Sequence, residues 1–133
     1  MYTEKNSLKS FERLKSKKLI DLVFSTQSQV VFTSHLLVKF TILKETDFPL
    51  KVGFSVSKKK LKRAHDRNRF KRLLRECYRV QKHPLLHHCI EHNISIGLFI
   101  VINKLDDRLD YDAIYNQTSE CIKKVLKKLP HNV

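Results

Sequence analysis

Glycine and proline are nearly missing from this sequence, two and three residues respectively among 133. Flexible linkers and spacers are rich in these residues, so nothing divides the chain into separately folding units. There is no low-complexity tract and no internal repeat, and the length suits one domain with its own core. Long hydrophobic runs are also missing. The longest apolar stretch, Ile94 to Ile102, contains Ser95 and Gly97 and falls well short of the roughly 18 residues that a membrane-spanning helix requires. Met1 to Lys18 is mostly polar or basic and lacks the apolar core of a secretory signal, so export is not expected. The three cysteines, Cys77, Cys89 and Cys121, form no C-x-x-C pair. They make no disulfide framework and fit a reducing compartment, so the expected location is the cytoplasm.

Acidic residues are scarce relative to basic ones: 13 Asp and Glu face 27 Lys and Arg, for a formal net charge of +14. A compact domain that basic repels itself unless a polyanion shares its field, which makes nucleic acid the first partner to expect. The charge is also concentrated. Lys58 to Lys82 holds twelve Lys or Arg against Asp66 and Glu76, which is +10 of the +14.

Periodicity predicts an α+β chain in the order α-β-β-β-α-β-α. Leu19, Ile20, Val23 and Phe24 recur at helical spacing in Lys17 to Ser25, and a weak strand is expected around Val30 to Phe32. Leu36, Val38, Phe40 and Ile42 alternate with Leu37, Lys39 and Thr41, as in a strand with one buried face. After a turn near Asp47 and Pro49, Val52, Phe54 and Val56 alternate with Gly53, Ser55 and Ser57. A basic helix follows and is broken at Pro84. A His-rich connector leads to Ile94 to Ile102, read as a strand buried on both faces. Asp110 is a candidate cap for a last helix with Ile114, Thr118, Cys121, Ile122, Val125 and Leu129 in one stripe.

On a helical wheel the basic segment, about Ala64 to Gln81, separates into two faces. Phe70, Leu73, Leu74 and Cys77 form the apolar one; Asn68, Arg72, Arg75 and Arg79 line the opposite one, with Lys71 and Lys82 on a shoulder and Arg67 and Arg69 flanking the first turn. A solvated face would explain two or three lysines. Here like charges crowd at i, i+3 and i+4, each pair unfavourable by a few tenths of a kcal/mol. Arg also outnumbers Lys, and its planar donor fork suits phosphate. Neutralised phosphates would offset the repulsion.

These residues carry a family resemblance. Val52-Gly53-Phe54-Ser55-Val56-Ser57-Lys58-Lys59, then Arg63-Ala64-His65-Asp66-Arg67-Asn68-Arg69-Phe70-Lys71-Arg72-Leu73-Leu74-Arg75-Glu76, resembles the signature of the bacterial ribonuclease P protein family. Departures are the missing glycine in Lys60-Leu61-Lys62, Ile20 at an often aromatic position, and the idiosyncratic stretch His83 to Asn93. The resemblance implies one domain over residues 1–133, with residues 1–13 a flexible basic arm. It also implies a four-stranded sheet with a left-handed βαβ crossover, ribosomal protein S5 domain 2-like, where general rules favour right-handed crossovers.

The implied activity is that of a subunit of a tRNA 5′-maturation endoribonuclease. Its RNA subunit carries the chemistry, with Mg²⁺ held by RNA and substrate, and the protein alone is inactive. The implied partners are ribonuclease P RNA and precursor tRNA, with no membrane and no obligate protein partner. Lys58, Lys59, Lys60, Lys62, Arg63, Arg67, Asn68, Arg69, Lys71, Arg72, Arg75 and Arg79 would face RNA, although Asn68 could instead order the helix start. A cleft for the 5′ leader would use Leu37, Lys39 and Ser55 from the sheet, with Ile20 and Phe24 as its helical wall. Plain core packing is an equal reading of Phe24.

Other clusters carry less. His83, His87, His88, Cys89 and His92 lack a second cysteine pair for a common zinc spacing, and read as solvated loop histidines. Asp106, Asp107, Asp110 and Asp112 stand ahead of a helix, where Asp caps and complements the dipole. No catalytic residue and no metal ligand is assigned. Two rival readings stay open: a ribosomal or chaperone-like RNA-binding protein, and a protein-only nuclease using the Asp or His clusters.

Overall fold

The computed structural model describes residues 8–26, 28–44, 46–57, 63–106 and 108–130. Strands β1 (Gln29–Phe32), β2 (Leu36–Leu43), β3 (Leu50–Val56) and β4 (Ser95–Ile102) form one sheet in the order β1-β2-β4-β3. β4 is antiparallel to β2 and parallel to β3. A parallel neighbour needs a crossover, which is supplied by α2 (Ala64–Gln81) and α3 (His83–Glu91). Helix α1 (Lys17–Val23) precedes the sheet and α4 (Tyr111–Lys128) follows it.

One sheet face is dry. Val31, Leu36, Val38, Phe40, Val52, Ile96, Leu98, Ile100 and Ile102 are buried there with Leu74, Cys77 and Tyr78 of α2 and the α4 stripe Ile114, Thr118, Cys121, Ile122, Val125 and Leu129. Asp110 caps α4 as expected, accepting a bond from the Ala113 N–H at 2.9 Å. Burial pushes the thiols of Cys77 and Cys121 up to about 11 and that of Cys89 to about 12, so all three are inert at neutral pH.

Several expectations are corrected. The His-rich connector is a helix: Pro84 lies in the first turn of α3, where a missing N–H costs nothing, and Leu85, Leu86 and Cys89 are buried. Ile42 does not join the core but is 47% exposed, because β1 pairs with β2 only as far as Phe40 and gives Ile42 no neighbour from that strand; Leu43, on the other face, is buried instead. β4 is not buried on both faces, since Phe99 and Val101 remain half-buried. Residues 8–13 are not a loose arm. Ser10–Glu12 form a 3-10 turn, and Glu12 makes a 2.5 Å ion pair with Lys82, which is 1% exposed rather than lying on a basic shoulder. Removing one partner of such a pair costs about 3–5 kcal/mol. Phe11 and Phe48 meet edge-on at 4.8 Å, and Lys51 Nζ donates to the Phe11 carbonyl at 2.8 Å. This staples residues 9–14 beside β3, where the Leu14 N–H donates to the Val52 carbonyl at 2.8 Å.

Candidate nucleic-acid interface

Residues directly opposed in neighbouring strands point to the same face. The register therefore builds two rows on the sheet face away from α2 and α4. One row runs Val30, Lys39, Phe99, Gly53, and the next runs Phe32, Leu37, Val101, Ser55. Helix α1 lies against β2 and β4 on this face. Both glycines of the chain serve it. A Cβ on Gly97 would stand 2.9 Å from Leu43 and 3.2 Å from Val23, so the glycine lets α1 close onto the sheet. A Cβ on Gly53 would stand 2.4 Å from the Phe99 ring, so its absence lets that ring lie across β3.

The result is an open trough with aromatic and cationic walls. Phe24, at the C-cap of α1 and 41% exposed, meets Phe99 at 4.9 Å between ring centroids. Lys39 Nζ stands 5.5 Å from the Phe24 ring centre, within cation–π reach. Ile20, Leu37 and Ser55 are half-buried around them. Leu37, Lys39 and Ser55 share one sheet face with Phe99, Ile20 stands one turn before Phe24 on α1, and Phe24 is partly in contact and partly open. Phe99 and Val101 of β4 belong to the same surface and were missed. An uninterrupted apolar strand gives no period-two signal to separate its faces.

Beside the trough stands α2. Cations at a helix N-terminus oppose the dipole, yet Arg63, Arg67 and Arg69 gather there. Only Asp66 complements it, 3.7 Å from Arg63, and the Arg63 side chain caps no N–H. An anion would relieve both deficits. Asn68, Arg69 and Arg72 are exposed. Arg75 is not opposite the apolar face as expected. It flanks that face, half-buried, with its guanidinium 6.0 Å from the Phe54 ring centre. Arg79 is tied to Glu76 through its Nε and NH2 groups.

Lys71 and Arg75 meet Arg13 and Lys15 in a groove of about 250 Å³, floored by Val52, Gly53 and Phe99. There the buried Nε of Arg75 has no hydrogen-bond partner among the described residues. Burial first, then the charges of Arg13 and Arg72, hold its pKa below the ordinary value. Four cations and no carboxylate stand among the described residues lining this groove, which makes it a seat for an anion. Arg13 and Lys15 escaped the sequence reading because only the stapling of residues 9–14 carries them to this edge. Lys58, Lys59, Lys60 and Lys62 lie outside the described residues.

Asp106 pairs with His35 at 3.0 Å and accepts from the Arg108 N–H at 2.9 Å. The rings of His88 and His92 are 4.2 Å apart, and His88 contacts the Pro130 carbonyl at 2.8 Å. Among the described residues no three His, Cys, Asp or Glu groups converge on a metal position, and no helix is long and apolar enough to cross a membrane.

Fold and site together define a small basic α+β protein with an open, ring-lined sheet face flanked by a cationic helix. A ribonuclease P family model matches residues 8–128. The ribonuclease P protein component of Chlorobium phaeobacteroides is 31% identical over 134 residues, covering 96% of this chain and 88% of that protein. That of Blochmanniella floridana is 35% identical over 75 residues, and that of Haemophilus influenzae (strain PittGG) 57% identical over 35 residues. These cover 56% and 26% of this chain, and only 62% and 29% of the relatives' own lengths. A solved mutant RNase P protein of Staphylococcus aureus superposes with TM-score 0.68 at 23% identity, covering 86% of this chain and 88% of that one. The RNase P protein of Thermotoga maritima gives 0.60 at 21%, covering 90% and 98%. Likeness at such identities speaks for the fold. The chain belongs to the ribonuclease P protein family.

Proposed function

We propose that this protein is the protein subunit of a cytoplasmic ribonuclease P ribonucleoprotein, which removes the 5′ leader of precursor tRNA. The observation that carries the reading is the Phe24–Phe99–Lys39 cluster on an open sheet face beside a cationic helix, in a member of this family. Single-stranded RNA suits that face, because bases stack on rings while cations hold the backbone. In this reading Arg67, Asn68, Arg69 and Arg72 dock on ribonuclease P RNA, and the trough holds the leader. Lys71 and Arg75, with Arg13 and Lys15, hold phosphates between the two. Ribonuclease P chemistry requires metal ions, and we assign Mg²⁺ to the RNA and its substrate. The protein's part is to bind, to orient and to lower repulsion between two polyanions.

Reconstitution with a bacterial ribonuclease P RNA tests this. The purified protein alone leaves precursor tRNA uncut, and adding it lowers the Mg²⁺ that the RNA needs. Unchanged cleavage across the whole Mg²⁺ range would refute the assignment, and Mg²⁺-dependent cutting by the protein alone would favour a protein-only nuclease. Phe24→Ala weakens binding of leader-bearing precursor by about 1–3 kcal/mol, the range of one lost stacking contact, and leaves mature tRNA binding unchanged. Equal weakening of both would reduce Phe24 to a core residue.

A further inference from the structure

The trough does not end at the residues that close around Phe99. Its second row continues from Val101 and Leu37 to Phe32 on β1, the opposite edge of the sheet from β3 and α2. Two strand spacings carry Phe32 roughly 10 Å beyond Val101. Phe32 is 52% exposed, the most exposed of the chain's large apolar side chains that are described. Among the described residues nothing covers this ring, which stands on an edge strand, where exposed apolar surface invites association. Around that edge, a groove of about 360 Å³ is lined by Val30, Val31 and Phe32 on one side and by Lys124, Lys127 and Lys128 of α4 on the other. Lys127 and Lys128 are exposed, and Glu120 pairs with Lys124 at 3.0 Å.

We propose that this edge is a second RNA-binding segment, which takes the distal part of a single-stranded 5′ leader after it has crossed the trough. One base stacks on Phe32, and the phosphates on either side lie against Lys127 and Lys128. Single-stranded RNA is preferred over an acidic peptide adding as a strand for a specific reason. Lys124 Nζ already donates to the Phe32 carbonyl at 2.7 Å, an acceptor that a docking strand would need. A lysine so placed blunts the edge towards peptides and leaves the ring and the two terminal lysines available. The inference rests on the leader-binding reading of the trough, and leader length separates the two.

The experiment uses the full chain reconstituted with ribonuclease P RNA and precursor tRNAs that differ only in leader length. Affinity of the wild-type assembly keeps rising after the leader is long enough to fill the trough. In Phe32→Ser and in the double variant Lys127→Ala/Lys128→Ala, long-leader affinity falls about five- to tenfold, as expected for one stack or two phosphate contacts. Short-leader affinity stays at the wild-type value. All three side chains are solvent-facing, so thermal unfolding of the variants should match the parent. Equal loss for short and long leaders, or wild-type behaviour at every length, would overturn the proposal. So would competition for the long leader by polyglutamate at the potency of a uridine oligonucleotide, since that marks a plain charge patch. Failure of the trough reading looks different: Phe24→Ala would then leave short-leader affinity unchanged.

Discussion

The two faces of one sheet are built from the same strands, alternate residue by alternate residue, and end in opposite states. Leu98 and Ile100 point into the dry layer under α2 and α4 and are about 1% exposed. Their neighbours Phe99 and Val101 are scarcely less apolar yet stay half-open, covered only in part by the seven-residue helix α1. Burial of a side chain of this size contributes about 1.5–3 kcal/mol, and the second face forgoes part of it. What it keeps instead is a set of rings held at fixed spacing over a rigid floor, with Lys39 and the α2 cations alongside. Apolarity on the first face stabilises the fold, whereas on the second it serves as a binding platform.

The largest expected effect separates the faces at adjacent residues. Leu98→Ala should destabilise the protein by about 2–5 kcal/mol, the usual range for a core leucine. Phe99→Ala should cost clearly less stability and should weaken binding of leader-bearing precursor by about 1–3 kcal/mol. Chemical denaturation and precursor affinity, measured on both variants, would show whether function divides between the faces. If Phe99→Ala is as destabilising as Leu98→Ala, the second face is simply more core.

A smaller effect separates two arginines of α2. Arg72 is exposed, whereas Arg75 lies over Phe54 beside Arg13, with a buried Nε that has no partner among the described residues. Arg72→Ala and Arg75→Met should each flatten the salt dependence of RNA binding by about 0.7–0.9 log-log units per lost phosphate contact. Only Arg75→Met should also raise the melting temperature of the free protein, because it keeps the stem on the ring and removes a buried Nε that has no partner among the described residues. A fall in melting temperature would assign Arg75 to the fold. Unaltered affinity and slope in both variants would remove α2 from the RNA interface.

How much of this could be read from the residues follows from the range of the forces. Helix α2 was legible to its ends, because eighteen residues repeat a strong amphipathic pattern locally. On β2, alternation separated Leu37 and Lys39 from the core face, as the register does, and on β3 it did the same for Ser55. It failed at Ile42, where tertiary cover decides exposure. Ser95–Ile102 offered no alternation, so Phe99 and Val101 were invisible as cleft residues. Helix α3 was hidden because Pro84 and the histidines read as breakers, although Pro fits a first helical turn. Lys82 resembled one more surface cation. Its partner Glu12 is seventy positions away in sequence, and no local pattern reports a contact at that distance.

The smallest expected effect concerns what holds the β1 edge in place. Gln117 of α4 accepts bonds from the His35 N–H and the Thr33 hydroxyl, both at 2.7 Å, and its Nε2 lies 2.8 Å from His35 Nδ1. The other ring nitrogen of His35 meets Asp106. This chain of contacts ties the β1–β2 turn to α4 and to the segment after β4. The hydrogen bond with His35, and then the Arg108 N–H, lower the Asp106 carboxyl from its ordinary 3.8 to about 2. A carboxyl lowered on folding stabilises the fold fully above its ordinary pKa, and the stabilisation is lost as pH falls through the folded value. Wild-type stability should therefore decline between about pH 4 and pH 2 more steeply than that of Asp106→Asn, and the two should converge at the acid end. Above pH 5 the wild type should be modestly more stable by a constant margin from this group. Denaturation midpoints across that range would measure it. If the gap between the two proteins does not narrow below pH 4, Asp106 does not hold the turn through its charge, and the β1 edge depends on Gln117 and the Lys124–Phe32 contact instead.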